Sequence, residues 1–193
     1  MTTWHWVRHG PTHQKAFVGW RDVPADLSDT AQIARLRAHL PAEALLVSSD
    51  LVRATATADA VSGDGHRRLP HEPDLREIHF GAWDGMHFSD VAARDPELSR
   101  LFWEQPGDIS APEGESWNRT SLRVEKVVQR ISAEFPGKHI IAVAHFGVIL
   151  TQLQRALQVA PYDTLAQPID NLSVTSITRE GGNGIAGVIN HLP

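Results

Sequence analysis

The sequence predicts an α/β fold with a mostly parallel central sheet and an antiparallel edge at the C-terminus. Three observations carry this. Strand-like and helix-like segments alternate along most of the 193 residues. Two short apolar runs, 44–47 and 139–144, have the continuous character of strands covered on both faces. The tail offers two strand-like stretches joined by a glycine turn, which closes an antiparallel pair.

The elements follow in order. Trp4-His5-Trp6-Val7 is an apolar strand ending at Arg8-His9-Gly10, and a Gly/Pro-punctuated loop runs on to Asp26. Ser28 is placed to cap a helix over 29–39, where Ile33, Leu36 and Leu40 recur at helical spacing; Pro41 ends it. Ala44 to Val47 forms the next strand. Ser48, Ser49 and Asp50 are all N-cap types before an alanine-rich helix reaching Val61. Residues 67–72 suggest a strand interrupted by Pro70, and 75–85 a loop.

A helical stretch over 87–104 breaks near Pro96, and 105–114 is Pro/Gly-rich. A long helix is predicted from Ser116 to Phe135, with Leu122, Val124, Val127, Val128 and Ile131 as its apolar stripe. Pro136-Gly137 stops it. Strand 139–144 and helix 148–157 come next, then strands 172–178 and 185–190 with a turn at Gly181-Gly182. The whole reads as one domain, 1–193, in which about 83–116 is an insertion forming a cap.

Composition narrows the function. The chain has 18 basic and 23 acidic residues, a net charge of -5. That disfavours nucleic acid as a main partner, since a duplex binder presents a basic face. No stretch approaches the ~20 apolar residues that span a bilayer. The N-terminus lacks the basic-then-apolar order of a signal peptide. Cysteine is absent, which removes thiolate metal sites and fits a reducing, cytoplasmic compartment.

Chemistry points to two rhyming segments. Val7-Arg8-His9-Gly10 closes the first strand and Val143-Ala144-His145-Phe146-Gly147 a later one. In open α/β sheets ligands bind beyond the carboxyl ends of strands. If these strands are neighbours, His9 and His145 face each other there. Arg53, in the first turn of the helix after strand 44–47, sits where the helix dipole disfavours a cation by ~0.3–1 kcal/mol. An anion nearby would explain it, and the helix N-terminus after His145 also favours an anion. Arg8 and Arg53 offer planar forks to phosphoryl oxygens. The two histidines suggest divided roles, a neutral nucleophile and a protonated donor. Glu77, in the loop, is the candidate acid for the leaving group.

These residues resemble a known family. Arg8-His9-Gly10-Pro11-Thr12 resembles the RHGxT signature of the histidine phosphatase superfamily, in its phosphoglycerate mutase-like branch. Phe17-Val18-Gly19-Trp20-Arg21-Asp22 resembles its F-x-G-W-x-D loop, and Ser49 to Ala58 its S-D-L-x-R-A-x-x-T-A helix start. Glu77 to Gly85 resembles E-x-x-F-G-x-W-[ED]-G. Gly114-Glu115-Ser116 matches a GES element, and the His145 segment the last block. The resemblance implies a three-layer α/β/α fold, a phosphohistidine at His9, no metal and no cofactor. It implies Arg8, Arg53 and His145 as phosphate holders and Glu77 as proton donor, then base. Gly10, Thr12, Val18, Gly19, Phe146 and Gly147 become the expected substrate contacts. Phe146 departs from the small residue usual there.

The expected function is hydrolysis of a small phosphomonoester. The alternatives are a phosphoglycerate-type mutase, a non-catalytic phosphate-binding or scaffold protein, and a histidine-based metal hydrolase, for which no H-E-x-x-H spacing is present. A homodimer is compatible with the resemblance. Trp20, Arg21, His13, Trp83, His87 and Trp117 are candidate rim residues, with core packing the competing role for the three tryptophans.

Overall fold

The computed structural model describes residues 1–180 and 182–193. Its sheet has six strands in the order β3-β2-β4-β1-β5-β6. These are β1 Thr2–Arg8, β2 Ala44–Ser48, β3 His66–Arg68, β4 His139–Ala144, β5 Val174–Glu180 and β6 Asn183–Ala186. The first four strands in that order run parallel to one another; β5 is antiparallel to β1, and β6 antiparallel to β5.

The pleat sorts the side chains to two faces. On one, Trp4 and Trp6 of β1 stack at 5.1 Å and join Val47, Ile140 and Ala142 against α5 (Trp117–Glu134) and α6 (Phe146–Leu157). On the other, Val7, Leu46, Ile141 and Val143 pack against α1 (Thr30–His39) and α2 (Val52–Val61). The result is the three-layer α/β/α arrangement. Two further helices, α3 (Phe88–Arg94) and α4 (Pro96–Glu104), lie within residues 83–116. They share an aromatic cluster with the loops, in which Phe102 packs edge-on to Trp83 and Phe80.

Several local expectations need correcting. Asp29, not Ser28, caps α1, its carboxylate accepting from Gln32 N; Ser28 is taken up in a turn with Asp26. None of Ser48, Ser49 and Asp50 caps α2. Leu51 is the N-cap residue and makes no side-chain bond. The carboxylate of Asp22, distant in sequence, accepts from Val52 N at 2.7 Å. The three polar residues are engaged elsewhere: Ser48 with His71, Ser49 with His145, Asp50 with Arg76.

Strand β3 stops at Arg68, before Pro70. The 75–85 loop is bounded by short 3₁₀ turns at Pro73–Leu75 and Gly81–Trp83. On α5, Leu122 is 59% exposed while Val124, Val127, Val128 and Ile131 are buried, so the stripe is narrower than its apolar letters. The last strand ends at Ala186 rather than extending to residue 190. Of the turn at 181–182, Gly181 lies outside the described residues; Gly182 has φ +88. A one-turn helix, α7 (Pro161–Thr164), was unforeseen; four residues carry too little periodicity to read.

Candidate active site

The parallel strands bring their carboxyl ends to one edge, and register fixes who meets there. Arg8 lies opposite Ala144, and Ser48 opposite Val143. The next residues out are therefore His9, His145 and Ser49. His9 N donates to Ala144 O at 3.1 Å and Ser49 N to Val143 O at 3.2 Å, extending both ladders by one step. The two imidazole rings stand 5.1 Å apart, tilted by 58°.

Each ring is held. Nδ1 of His9 is 2.7 Å from Gly10 O. A carbonyl only accepts, so Nδ1 carries the proton and the Nε2 lone pair is left available. Asn171 Nδ2 donates to His9 O at 2.8 Å. His145 Nε2 lies 2.6 Å from Ser49 Oγ, and its Nδ1 is buried with no partner among the described residues.

Burial, followed by the field of Arg53, brings His9 down to about 3. Burial also takes His145 well below its ordinary value, aided by Arg53, His9, Arg123 and Arg8. Both rings are thus shifted towards the neutral form. A buried imidazole among guanidinium groups favours the neutral form.

The arginines reach the same place from different elements. Arg8 Nη1 donates to Ile169 O at 2.6 Å, and its guanidinium lies 5.3 Å from the centre of the Phe146 ring. Arg53, from the first turn of α2, is 1% exposed. It donates to Arg21 O and Gly19 O. Among the described residues, the Nε of each arginine is buried without a partner. Together with His145 Nδ1, that leaves three buried nitrogens that an oxyanion would satisfy.

Glu77 completes the group. Its carboxylate is buried and accepts from Ile78 N and Gly147 N. Burial raises it above the ordinary carboxylate range, against the pull of those amides and of Arg53 and Arg8. The loop behind it is clamped from α5. Arg123 donates to Asp74 O, Arg76 O and Glu77 O, and pairs with Glu115 at 2.8 Å.

The five expected catalytic residues are therefore brought together. The expected contacts fare differently. The amides of Gly10, Gly19 and Gly147 are already bonded, to Thr57 Oγ1, Asp84 Oδ1 and Glu77. These glycines position neighbours rather than offer free donors. At Gly19 a Cβ would sit 2.7 Å from Ile78 O, so only glycine lets the two loops meet. Thr12 and Val18 are half-buried in the loop after β1, and Phe146 is half-buried beside Arg8.

Trp83 and Trp117 belong to the core rather than a rim. Trp20 donates from Nε1 to Glu77 O. Arg21 is exposed, His13 pairs with Asp26, and His87 caps α3.

Sequence reasoning missed Asn171, Asp84 and Arg123. Asp84 accepts from the amides of Gly19, Trp20 and Arg21. Its place in the Trp83-Asp84-Gly85 motif was the available signal. Asn171 and Arg123 carried none. Among the described residues no three His, Asp or Glu side chains gather so as to hold a metal ion.

The model of the histidine phosphatase superfamily (branch 1) matches residues 5–191. The chain belongs to that superfamily. It is 32% identical to a bifunctional protein of Mycobacterium tuberculosis over 87% of its own length and 44% of the relative's. It thus spans less than half of that protein. It is 31% identical to a glucosyl-3-phosphoglycerate phosphatase of Mycolicibacterium vanbaalenii, over 87% of this chain and 76% of that one. Bacillus stearothermophilus YhfR superposes with a TM-score of 0.90 at 27% identity, covering 100% of this histidine phosphatase chain and 98% of the other.

Proposed function

We propose that this protein is a metal-independent phosphomonoesterase that works through a phosphohistidine at His9. The observation that carries the reading is the pair of rings 5.1 Å apart, with His9 Nδ1 tied to Gly10 O so that Nε2 is the nucleophile. The phosphatase name of the Mycolicibacterium relative supports it.

In the first step His9 Nε2 attacks phosphorus, the P–N bond forms and the P–O ester bond breaks. Arg8, Arg53 and His145 hold the equatorial oxygens, where charge is stabilised by groups that need no reorganisation. Glu77, whose acid form is favoured by burial, gives its proton to the departing alkoxide. In the second step water loses a proton to the Glu77 carboxylate and attacks phosphorus, releasing phosphate and restoring His9. The dianion offsets the local guanidinium charge and raises the proton affinity of His145, so a proton accompanies the phosphoryl group into the site. The 83–116 segment with α3 and α4 acts as the cap, and the reaction belongs to the cytoplasm.

The test is acid quenching during turnover of a phosphomonoester, followed by mapping of the acid-labile phosphoryl group. Labelling at His9, lost in His9→Ala with a fall in kcat of at least about 10³-fold, is expected. A fully active His9→Ala variant would sink the proposal. Phosphate release without isomerised phosphoglycerate separates hydrolysis from mutase action.

A further inference from the structure

The two histidines of the site face partners of different kinds. His9 Nδ1 meets the carbonyl of Gly10, which only accepts. His145 Nε2 meets the Ser49 hydroxyl at 2.6 Å, and a hydroxyl both donates and accepts. The direction of that bond decides what His145 offers to a bound anion.

The buried polar atoms around it fix the direction. Ser49 and His145 are both 0% exposed. Among the described residues the Ser49 hydroxyl bonds His145 alone, and His145 Nδ1 bonds nothing. Burial, with Arg53 nearby, favours the neutral ring, which carries one proton. If that proton sat on Nε2, the hydroxyl proton would lack an acceptor and the Nδ1 lone pair a donor. Two buried groups would then be desolvated with no bond in return. If the hydroxyl donates to Nε2, only the Nδ1–H is left over. It joins the Nε groups of Arg8 and Arg53, which are likewise buried donors without a partner. All three free atoms are then donors, the set an oxyanion requires. A lone pair at Nδ1 would instead repel it.

The backbone holds the hydroxyl in place. Ser49 N donates to Val143 O at 3.2 Å and carries the β2–β4 pairing one step past Ser48. Ser49 is thus fixed by the strand that leads into His145.

Resting on the phosphatase reading above, we infer that Ser49 is a positioning residue for phosphoryl transfer: its hydroxyl donates to His145 Nε2 and so sets the Nδ1–H tautomer that faces the phosphoryl oxygens. The two imidazoles are sorted by tautomer. A carbonyl leaves His9 with a free lone pair for attack, and a hydroxyl leaves His145 with a free N–H. When the bound dianion draws a second proton onto His145, the hydroxyl turns and accepts from Nε2–H, while Nδ1–H stays on the anion. An ionised carboxylate at this place could not donate to the neutral ring, and a backbone amide could not accept from the charged one. Serine serves both states.

The test reads the tautomer directly. Long-range proton–nitrogen spectra of 15N-histidine-labelled protein, near neutral pH and without anion, should show His145 protonated at Nδ1 and bare at Nε2. Ser49→Ala should shift the ring to a mixture of tautomers or to the Nε2–H form. In the same variant kcat/KM for a phosphomonoester should fall by up to about tenfold, the worth of one such hydrogen bond. In a His145→Ala background Ser49→Ala should cost nothing more, since no imidazole is left to orient. A wild-type His145 protonated at Nε2, or a tautomer unmoved by Ser49→Ala, overturns the assignment. An equal loss of kcat/KM in both backgrounds also overturns it and reduces Ser49 to packing. The spectra need no turnover, so a failure of the phosphatase reading shows separately, as a correct tautomer in a protein that forms no phosphohistidine; the role in phosphoryl transfer then falls with that reading.

Discussion

Gly147 N donates to both carboxylate oxygens of Glu77, at 3.0 and 3.1 Å, and a Cβ at residue 147 would lie 2.5 Å from Oε1. The helix that follows His145 therefore holds the proton donor with its own first turn, and only a glycine permits the approach. Gly147→Ala must push the carboxylate away. The expected result is a fall in kcat of about 10²-fold or more for alkyl phosphates, the range for a lost general acid. p-Nitrophenyl phosphate, whose leaving group departs without a proton, should suffer much less. Equal losses for both would show that Glu77 does not deliver the proton.

The pH profile follows from the same carboxylate. Burial raises Glu77, so its acid form persists above the ordinary carboxylate range and is lost as pH rises through its folded value. kcat/KM for an alkyl ester should decline along that limb, and Glu77→Gln should abolish the limb along with most of the activity. His9 at about 3 stays neutral throughout, so no acid limb from the nucleophile is expected near pH 6. Kinetics between pH 5 and 9 decide it.

The Arg8 guanidinium lies 5.3 Å from the centre of the Phe146 ring. A desolvated contact of this kind is worth about 0.5–2 kcal/mol. Phe146→Ala frees the guanidinium on one side, so inorganic phosphate should inhibit about 2- to 30-fold more weakly. Isothermal titration with phosphate reads this directly. Unchanged affinity would mean that the Ile169 carbonyl alone sets the arginine.

The pairing of His9 with His145 was legible because two strands of the same pattern end in the same way, and parallel register does the rest. The layers were legible from the apolar runs and from the periodicity of α5. What could not be read were contacts decided by three-dimensional closure. Ser49 looks like a helix cap and instead meets His145, because its strand ends one step from β4. Asp22 caps α2 from a loop some thirty residues away. Leu122 has the right letter and spacing for the α5 core, yet it stands in water. Asn171 reaches His9 O from a segment with no motif of its own. Local pattern names elements; the site's supporting bonds are tertiary.

Arg123 joins three backbone carbonyls of the 74–77 loop to Glu115. Removing it takes a side-chain donor from Asp74 O, Arg76 O and Glu77 O, the last still held by Trp20 Nε1, and leaves the half-buried Glu115 carboxylate without its cation. Arg123→Ala should cost about 3 kcal/mol, within the range for breaking such a network. Lysine cannot reproduce the fork, so Arg123→Lys should recover stability only in part and still lower kcat by loosening Glu77. Urea unfolding gives the first quantity and steady-state kinetics the second. A variant that loses stability with kcat intact would limit Arg123 to a structural role.

At the opposite end of the sheet, His5 Nε2 lies 3.0 Å from His139 Nδ1, and His39 faces His191 with ring centres 4.5 Å apart. Burial, then the charges of His139 and His39, bring His5 down to about 4; burial and His191 lower His39. A histidine that is harder to protonate when folded leaves the unfolded chain binding more protons between the two values. The stability this group contributes is complete above pH 6.5, its unfolded value, and disappears as pH falls towards 4. Thermal melts from pH 4 to 8 should therefore show Tm dropping steeply below about 6.5. His5→Gln should flatten that drop while retaining the fold, because glutamine can bond His139 without taking up a proton. The slope will not vanish, since His9 and His145 are also buried neutral. An acid slope identical in His5→Gln and wild type would show that His5 contributes nothing to it.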